Sequence, residues 1–300
     1  MSAADHLVIA FAAPHAFAPA LGQLPPLPHT AARLARARLA RDEGDLLSLS
    51  PPHERMLARA RGWPLVDGLL PFAAEGQAEP CGWLTPVHWQ AGADQVTLLP
   101  PALLALAPDD ALALLATLQT LCDGDWRLSA DTPTRWRLAH PSLAQLPTAA
   151  LTRAAGRNVD PWLNAPPAAR PVRRLQAEMQ MLLHTHPVNA AREAAGLAPV
   201  NSVWLSGTGA PAAVAATPQP LLDERLTDPA LANDFTAWCA AWVALDAGPI
   251  AALPPQATLT LCGERSAVSL IPAPPPSPWQ RLLTALRPPR TPLTQLLTTL

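Results

Sequence analysis

Residues 173–209, RRLQAEMQMLLHTHPVNAAREAAGLAPVNSVWLSGTG, carry a helix, a break, a second helix and a strand in one run. Leu175, Met179, Leu182 and Leu183 recur at the i, i+4, i+7, i+8 spacing of one apolar helical stripe, which predicts a helix over 172–185. Pro187 breaks or kinks that helix, and a second short one runs to Gly196. Ser202 to Leu205 reads as a strand, and it runs into Ser206-Gly207-Thr208-Gly209. Helices alternating with strands that end in glycine turns predict an α/β fold, a mixed sheet with flanking helices.

Upstream, LVIAFA (7–12) is a short apolar run closed by Pro14, as suits a buried strand. A Pro-rich loop is expected over 14–28 and a helix over 30–41. Ser50 before Pro51 and Pro52 reads as the N-cap of a helix that Gly62 stops. A strand over 95–99, a helix from Asp109-Asp110 to about Cys122, and strands at 126–129 and 135–138 joined by DTPT suggest a smaller α+β unit. Downstream, a helix over 229–245 puts Phe235, Trp238 and Trp242 on one face, and a strand over 258–261 ends in Cys262-Gly263-Glu264-Arg265. Ala165-Pro166-Pro167-Ala168-Ala169 suggests a boundary. The expected organisation is an α+β region over 1–165, an α/β region over 172–271, and a flexible Pro-rich tail over 272–300.

Composition narrows the chemistry. The 300 residues include no Lys and no Tyr, with 38 Pro and 10 Trp. Lysine Schiff-base chemistry and a phosphate-loop lysine are therefore excluded. The formal net charge of -2 argues against nucleic acid as the main partner, and the arginine clusters at Arg33, Arg36, Arg38 and Arg41 and at Arg170, Arg173 and Arg174 read as solvated helix faces. Cys81, Cys122, Cys239 and Cys262 stand apart, without a C-x-x-C pair, so neither a zinc ribbon nor a redox pair is signalled. They read as small buried hydrophobes in a reducing compartment. No stretch is long and apolar enough for a membrane span, and Leu7 to Ala13 follows Asp5 without a basic flank, unlike a signal peptide. A cytoplasmic location is expected. The tryptophans read as core.

Three constellations are candidate sites. The first is a strand-end crevice formed by Ser206, Gly207, Thr208 and Gly209 with Glu264 and Arg265. Ligands gather at the carboxyl ends of strands, and glycine-rich turns present amides to anions. The alternative is tight turns leaving two strands. The second is His184-Thr185-His186-Pro187-Val188-Asn189 with Arg192. His184 and His186 are two residues apart and do not share a helix face, so they make a poor metal pair. His186 and Asn189 read rather as helix-end groups, with Asn189 able to cap the next helix. The third is His88 beside Trp89, a general-base or stacking candidate whose simpler reading is a hydrogen-bonded core histidine.

Some of these segments carry a family resemblance. TPVHWQAGADQVTL (85–98), AALTRAAGRNVDPWL (149–163), the 173–209 block and LTLCGER (259–265) resemble the RpfE-type regulatory proteins of proteobacteria, often labelled cofactor-independent phosphoglycerate mutase. NSVWLSGTG is similar to a segment of archaeal-type independent phosphoglycerate mutases, of the alkaline-phosphatase superfamily. On that match Asn201, Trp204, Gly207 and Gly209 carry over, with Ser206 where those mutases more often have Trp. Such mutases use two metal ions held by Asp and His, with a Ser nucleophile near the N-terminus. Here the first strand ends Ala12-Ala13-Pro14-His15, and no comparable metal set follows. The expectation is a cytoplasmic regulatory or binding protein, without cofactor or metal, acting through a protein partner or an anionic metabolite. A mutase-like phosphoryl-transfer enzyme and a nucleic-acid accessory protein are the alternatives.

Overall fold

The computed structural model describes residues 5–163, 167–273 and 292–300. The chain forms two compact units, Met1–Leu46 with Thr217–Leu300, and Leu47–Ala216. The expected boundary near 165–171 lies inside the second unit, and the first is assembled from both ends of the chain.

The first unit opens with β1, His6–Ala13, buried along its length from Leu7 onward. A strand sandwiched on both faces has to be continuously apolar, as this one is. The Pro-rich stretch expected as a loop is a 3-10 helix, His15–Gln23, anchored by buried Phe17 and Leu21. Helix α1, Pro28–Arg36, begins with proline, whose missing N–H is not needed there. Its first amides are capped from far away in sequence. Asp246 accepts from the Thr30 N–H (2.7 Å), the Thr30 hydroxyl (2.6 Å) and the His29 N–H (3.1 Å), a carboxylate at the positive helix end. The helix expected to reach residue 41 stops at Arg36. Ala37–Asp42 is strand β2, because residues 267–272 claim its backbone in an antiparallel ladder. Tertiary pairing overrides helix propensity here. Arg33 is not solvated either; its guanidinium serves the carbonyls of Ile250, Leu253, Pro254 and Ala257.

The second unit starts with α2, Pro52–Ala60. Ser50 does not cap it; the Ser50 hydroxyl accepts the Gly68 N–H instead (2.8 Å). Strands β3 (Cys81–Val87), β4 (Trp89–Ala91) and β5 (Val96–Leu98) follow. Next come a single turn α3 (Pro101–Leu104) and α4 (Pro108–Gln119), with Asp109 and Asp110 in its first turn as expected. The hairpin β6 (Arg127–Thr132) and β7 (Arg135–Ala139) is succeeded by the short α5 (Leu151–Ala154). Then α6 (Arg170–His184), α7 (Pro187–Ala194) and β8 (Ser202–Gly209) close the unit. The sheet runs β6-β7-β3-β8, antiparallel throughout, and β4 pairs with β5 apart from it. The apolar stripe of α6 (Leu175, Met179, Leu183) meets Leu114 and Leu118 of α4 and Trp136 and Leu138 of β7 in one core.

The chain then returns to the first unit through β9, Leu221–Asp223. The single helix expected over 229–245 is two, α8 (Thr227–Leu231) and α9 (Phe235–Leu245). Asn233 takes a left-handed φ of 55° between them, and Asp234 caps α9 through the Ala237 N–H (2.9 Å). A π-helical turn (Asp246–Ile250), β10 (Thr258–Gly263), β11 (Ala267–Pro272) and α10 (Leu293–Leu297) complete it. The mixed sheet has the order β2-β11-β10-β1-β9, with β1 parallel to both β9 and β10. At the carboxyl end of β1 the register breaks between Ile9 and Ala13, and Phe11 has φ 52°. The fully buried indoles of α9 donate to the oxygens there, Trp238 to Phe11 (3.0 Å) and Trp242 to Ala12 (3.3 Å). Of the expected flexible tail, 274–291 lies outside the described residues. Residues 292–300 are packed, with Leu296 and Leu297 each 1% exposed.

Candidate functional site

The two glycine-rich strand ends expected to form one crevice belong to different sheets, β8 to the antiparallel one and β10 to the mixed one. Ser206-Gly207-Thr208-Gly209 does not follow β8 but is its second half. Cys81 faces Gly209 while Trp83 faces Ser206, so β8 carries one extra residue, a β-bulge. Gly207 sits in it at φ 63°, and a Cβ there would lie 3.0 Å from the Trp83 ring. A Cβ on Gly209 would lie 2.7 Å from Pro71. Thr208 is buried, donates to the Leu146 carbonyl (2.6 Å) and shares a hydrogen bond with the Thr148 hydroxyl (2.9 Å). Buried Ser206 stands in the ladder beside it. These glycines admit a ring and a proline.

The remaining candidates of this unit join one segment to another. His88 Nδ1 lies 2.8 Å from the Pro199 carbonyl oxygen. Asn201 accepts the Trp89 N–H (2.7 Å) and donates to the Trp89 carbonyl (2.9 Å). The Trp204 indole donates to the Ala149 carbonyl (2.9 Å). His186, rather than Asn189, caps α7: its Nδ1 accepts the Val188 N–H (3.2 Å), and its Nε2 lies 2.9 Å from the Thr117 hydroxyl. Asn189 is buried and ties α6 to the β8 approach, donating to Leu183 and Val200 carbonyls (2.7 Å each) and accepting the Val200 N–H (2.8 Å). Arg192, 3% exposed, gathers the carbonyls of Ala198, Leu104 and Ala105 (3.0, 2.5 and 3.4 Å). Polar groups inside a fold are hydrogen-bonded as a rule, and these obey it.

At the end of β10, Glu264 is buried and Arg265 exposed. The N–H groups of Arg265 and Ser266 and the Ser266 hydroxyl converge on one oxygen, that of Leu300 (3.3, 3.2 and 3.3 Å).

A cavity of about 420 Å³ opens in the second unit where the connection from α4 meets the edge strand β6. It lies within the size range of small-molecule sites. The register explains it: Cys81, Ala139 and Arg127 form one row across β3, β7 and β6, and Trp83, Arg137 and Ser129 form a second row. Small Ala139 leaves space between its neighbours. Arg127 is paired with Glu79, and Arg137 with Asp131 and the Ala73 carbonyl. Trp126 forms a wall, stacked on His140 at a centroid distance of 3.9 Å. Burial lowers the pKa of His140, with Asp125 opposing. Both thiols in the lining are held protonated. Burial raises Cys81 against the pull of Arg137, and burial with Asp123 pushes Cys122 up to about 11. The alternation in RLS and RWR already places Arg127, Ser129 and Arg137 on one face, a signal sequence reasoning passed over. A second cavity of about 500 Å³ is lined by hydroxyls, prolines and leucines. Its arginine, Arg135, is bound to Asp131 and lies 4.3 Å from the Trp83 ring centroid.

Among the described residues, no three His, Cys, Asp or Glu side chains converge to hold a metal ion. The donors therefore do not fit the two-metal centre that the mutase resemblance implies. No described helix is long and apolar enough to cross a membrane. No family model matches the chain, and no curated protein matches it. Among solved structures, the cofactor-independent phosphoglycerate mutase from Thermoplasma acidophilum is 13% identical over 88% of each chain, with a TM-score of 0.36. The PH0037 protein from Pyrococcus horikoshii is 11% identical over 91% of this chain and 88% of that one, with a TM-score of 0.39. The likeness is weak and concerns the fold.

Proposed function

We propose that this protein binds an anionic small molecule in the cavity beside Arg127, Arg137 and Trp126, and acts by binding rather than by making bonds. The observation that carries the reading is that Arg127, Arg137 and the stacked Trp126 line one small-molecule-sized space, with Glu79 the carboxylate beside them. Arg127 is 59% exposed, so its pairing with Glu79 is weak and an entering anion competes for it. Arg137 gives its Nε–H to the Ala73 carbonyl and its Nη2 to Asp131, so a carboxylate or phosphate would meet its remaining Nη1 donors. The thiols nearby are not thiolates at neutral pH and supply no nucleophile. The resemblance to the RpfE-type regulators, carried by residues 85–98, 149–163, 173–209 and 259–265, fits such a role, with the occupied state reported to a protein partner in the cytoplasm.

A thermal-shift comparison with inorganic phosphate, 3-phosphoglycerate and ATP, each with and without Mn²⁺, tests this. A ligand at a hundred times its dissociation constant adds about 2.7 kcal/mol and raises the melting temperature by several degrees. Arg137→Gln is expected to weaken binding of the active compound by roughly 1.5–3 kcal/mol, the worth of a hydrogen bond to a charged group. Unchanged affinity in both Arg127→Gln and Arg137→Gln would remove the cavity as the site. A shift that requires Mn²⁺ together with 3-phosphoglycerate would favour phosphoryl transfer instead.

A further inference from the structure

The end of β10 holds a feature that the cavity does not use. Two consecutive amides, Arg265 and Ser266, and the Ser266 hydroxyl point at a single oxygen of Leu300. Successive N–H groups aimed at one point form a nest, a concavity that holds anions. The nest is open to the segment only because residue 263 is glycine; a Cβ there would lie 2.6 Å from three atoms of Leu300. The segment is held by the buried Leu296 and Leu297, by Arg41 donating to the Thr299 hydroxyl (2.9 Å), and by the Ser266 hydroxyl, 3.3 Å from the Thr299 carbonyl. Its helix α10 is five residues long, too short to hold its shape without packing.

We propose that the Arg265–Ser266 nest is an anion site for a phosphate or carboxylate group, and that residues 292–300 occupy it as an internal ligand. An external anion accepts from the same donors and must displace the segment, so the two exclude each other. The site is separate from the cavity and does not depend on its ligand.

The test uses a chain ending at Thr291 in an Arg127→Gln, Arg137→Gln background, so that binding in the cavity does not register. Inorganic phosphate is titrated by calorimetry, and a labelled peptide PLTQLLTTL (292–300) by fluorescence anisotropy. The shortened chain is expected to bind both, each displacing the other, and to bind phosphate at least tenfold more tightly than the same background at full length. Gly263→Ala puts a methyl group 2.6 Å from the position of the Leu300 oxygen, so in the shortened chain it is expected to abolish binding of phosphate and of the peptide alike. A folded shortened chain that binds phosphate no better, or that binds phosphate and peptide side by side, overturns the proposal. So does loss of cooperative unfolding in the shortened chain, which would make the segment part of the framework.

Discussion

His53 shows what one buried side chain does to acid stability. It lies inside the second unit, and burial, reinforced by Arg153 and Arg55, lowers its pKa to about 3. In the unfolded chain it titrates near its ordinary value of 6.5. As pH falls the unfolded state takes up the proton first. The stability is therefore complete above about pH 6.5 and drains away toward pH 3, at up to about 1.4 kcal/mol per pH unit. His53→Gln is expected to flatten the dependence of urea-unfolding free energy between pH 6.5 and 4 by up to one proton. An identical slope in the variant would show that His53 does not set it. Burial lowers the pKa of His6 and His140 as well, so part of the slope remains.

At the scale of elements, the bulge pairing β8 with β3 is the joint that a single methyl group can spoil. Gly207→Val adds strain at a positive φ and pushes against Trp83. We expect a loss of about 2–4 kcal/mol by strain and overpacking, read as a lower urea midpoint; a loss within experimental error would mean that the bulge refits freely. The elements legible in the sequence were those written in local periodicity: the stripe of α6, the apolar run of β1, the alternation of β6 and β7. Those that were not legible owe their form to distant partners. Residues 37–42 favour a helix until residues 267–272 pair with them, and β9 is three residues whose ladder is with β1, more than 200 positions away. The site was legible in a similar, partial way. His88, Asn189, Arg192 and Asn201 stood out by chemical type, yet hydrogen bonds across 6–112 positions of sequence occupy them. Arg127 and Arg137 looked ordinary because the space between them is created by Ala139, which no motif marks.

At the scale of the molecule, one unit interrupts the other. Residues 47–216 contain their own sheet and core, and the ends are tied locally, with the Ala215 N–H on the Arg61 carbonyl (2.9 Å). Expressed alone, residues 47–216 are expected to melt cooperatively with native-like circular dichroism; a chain lacking a thermal transition would show that the interrupted unit is needed for folding. The interruption also has a consequence in time. Strand β1 leaves the ribosome long before its parallel partners β9 and β10, which follow more than 200 residues later. At about 5–20 residues per second that delay is roughly 10–50 s. Throughout it LVIAFAA is an unpaired, apolar strand on a nascent chain, while the intervening unit has time to fold. Synthesis speed over residues 47–216, and any chaperone holding the first fifteen residues, would then decide how much of the chain escapes aggregation.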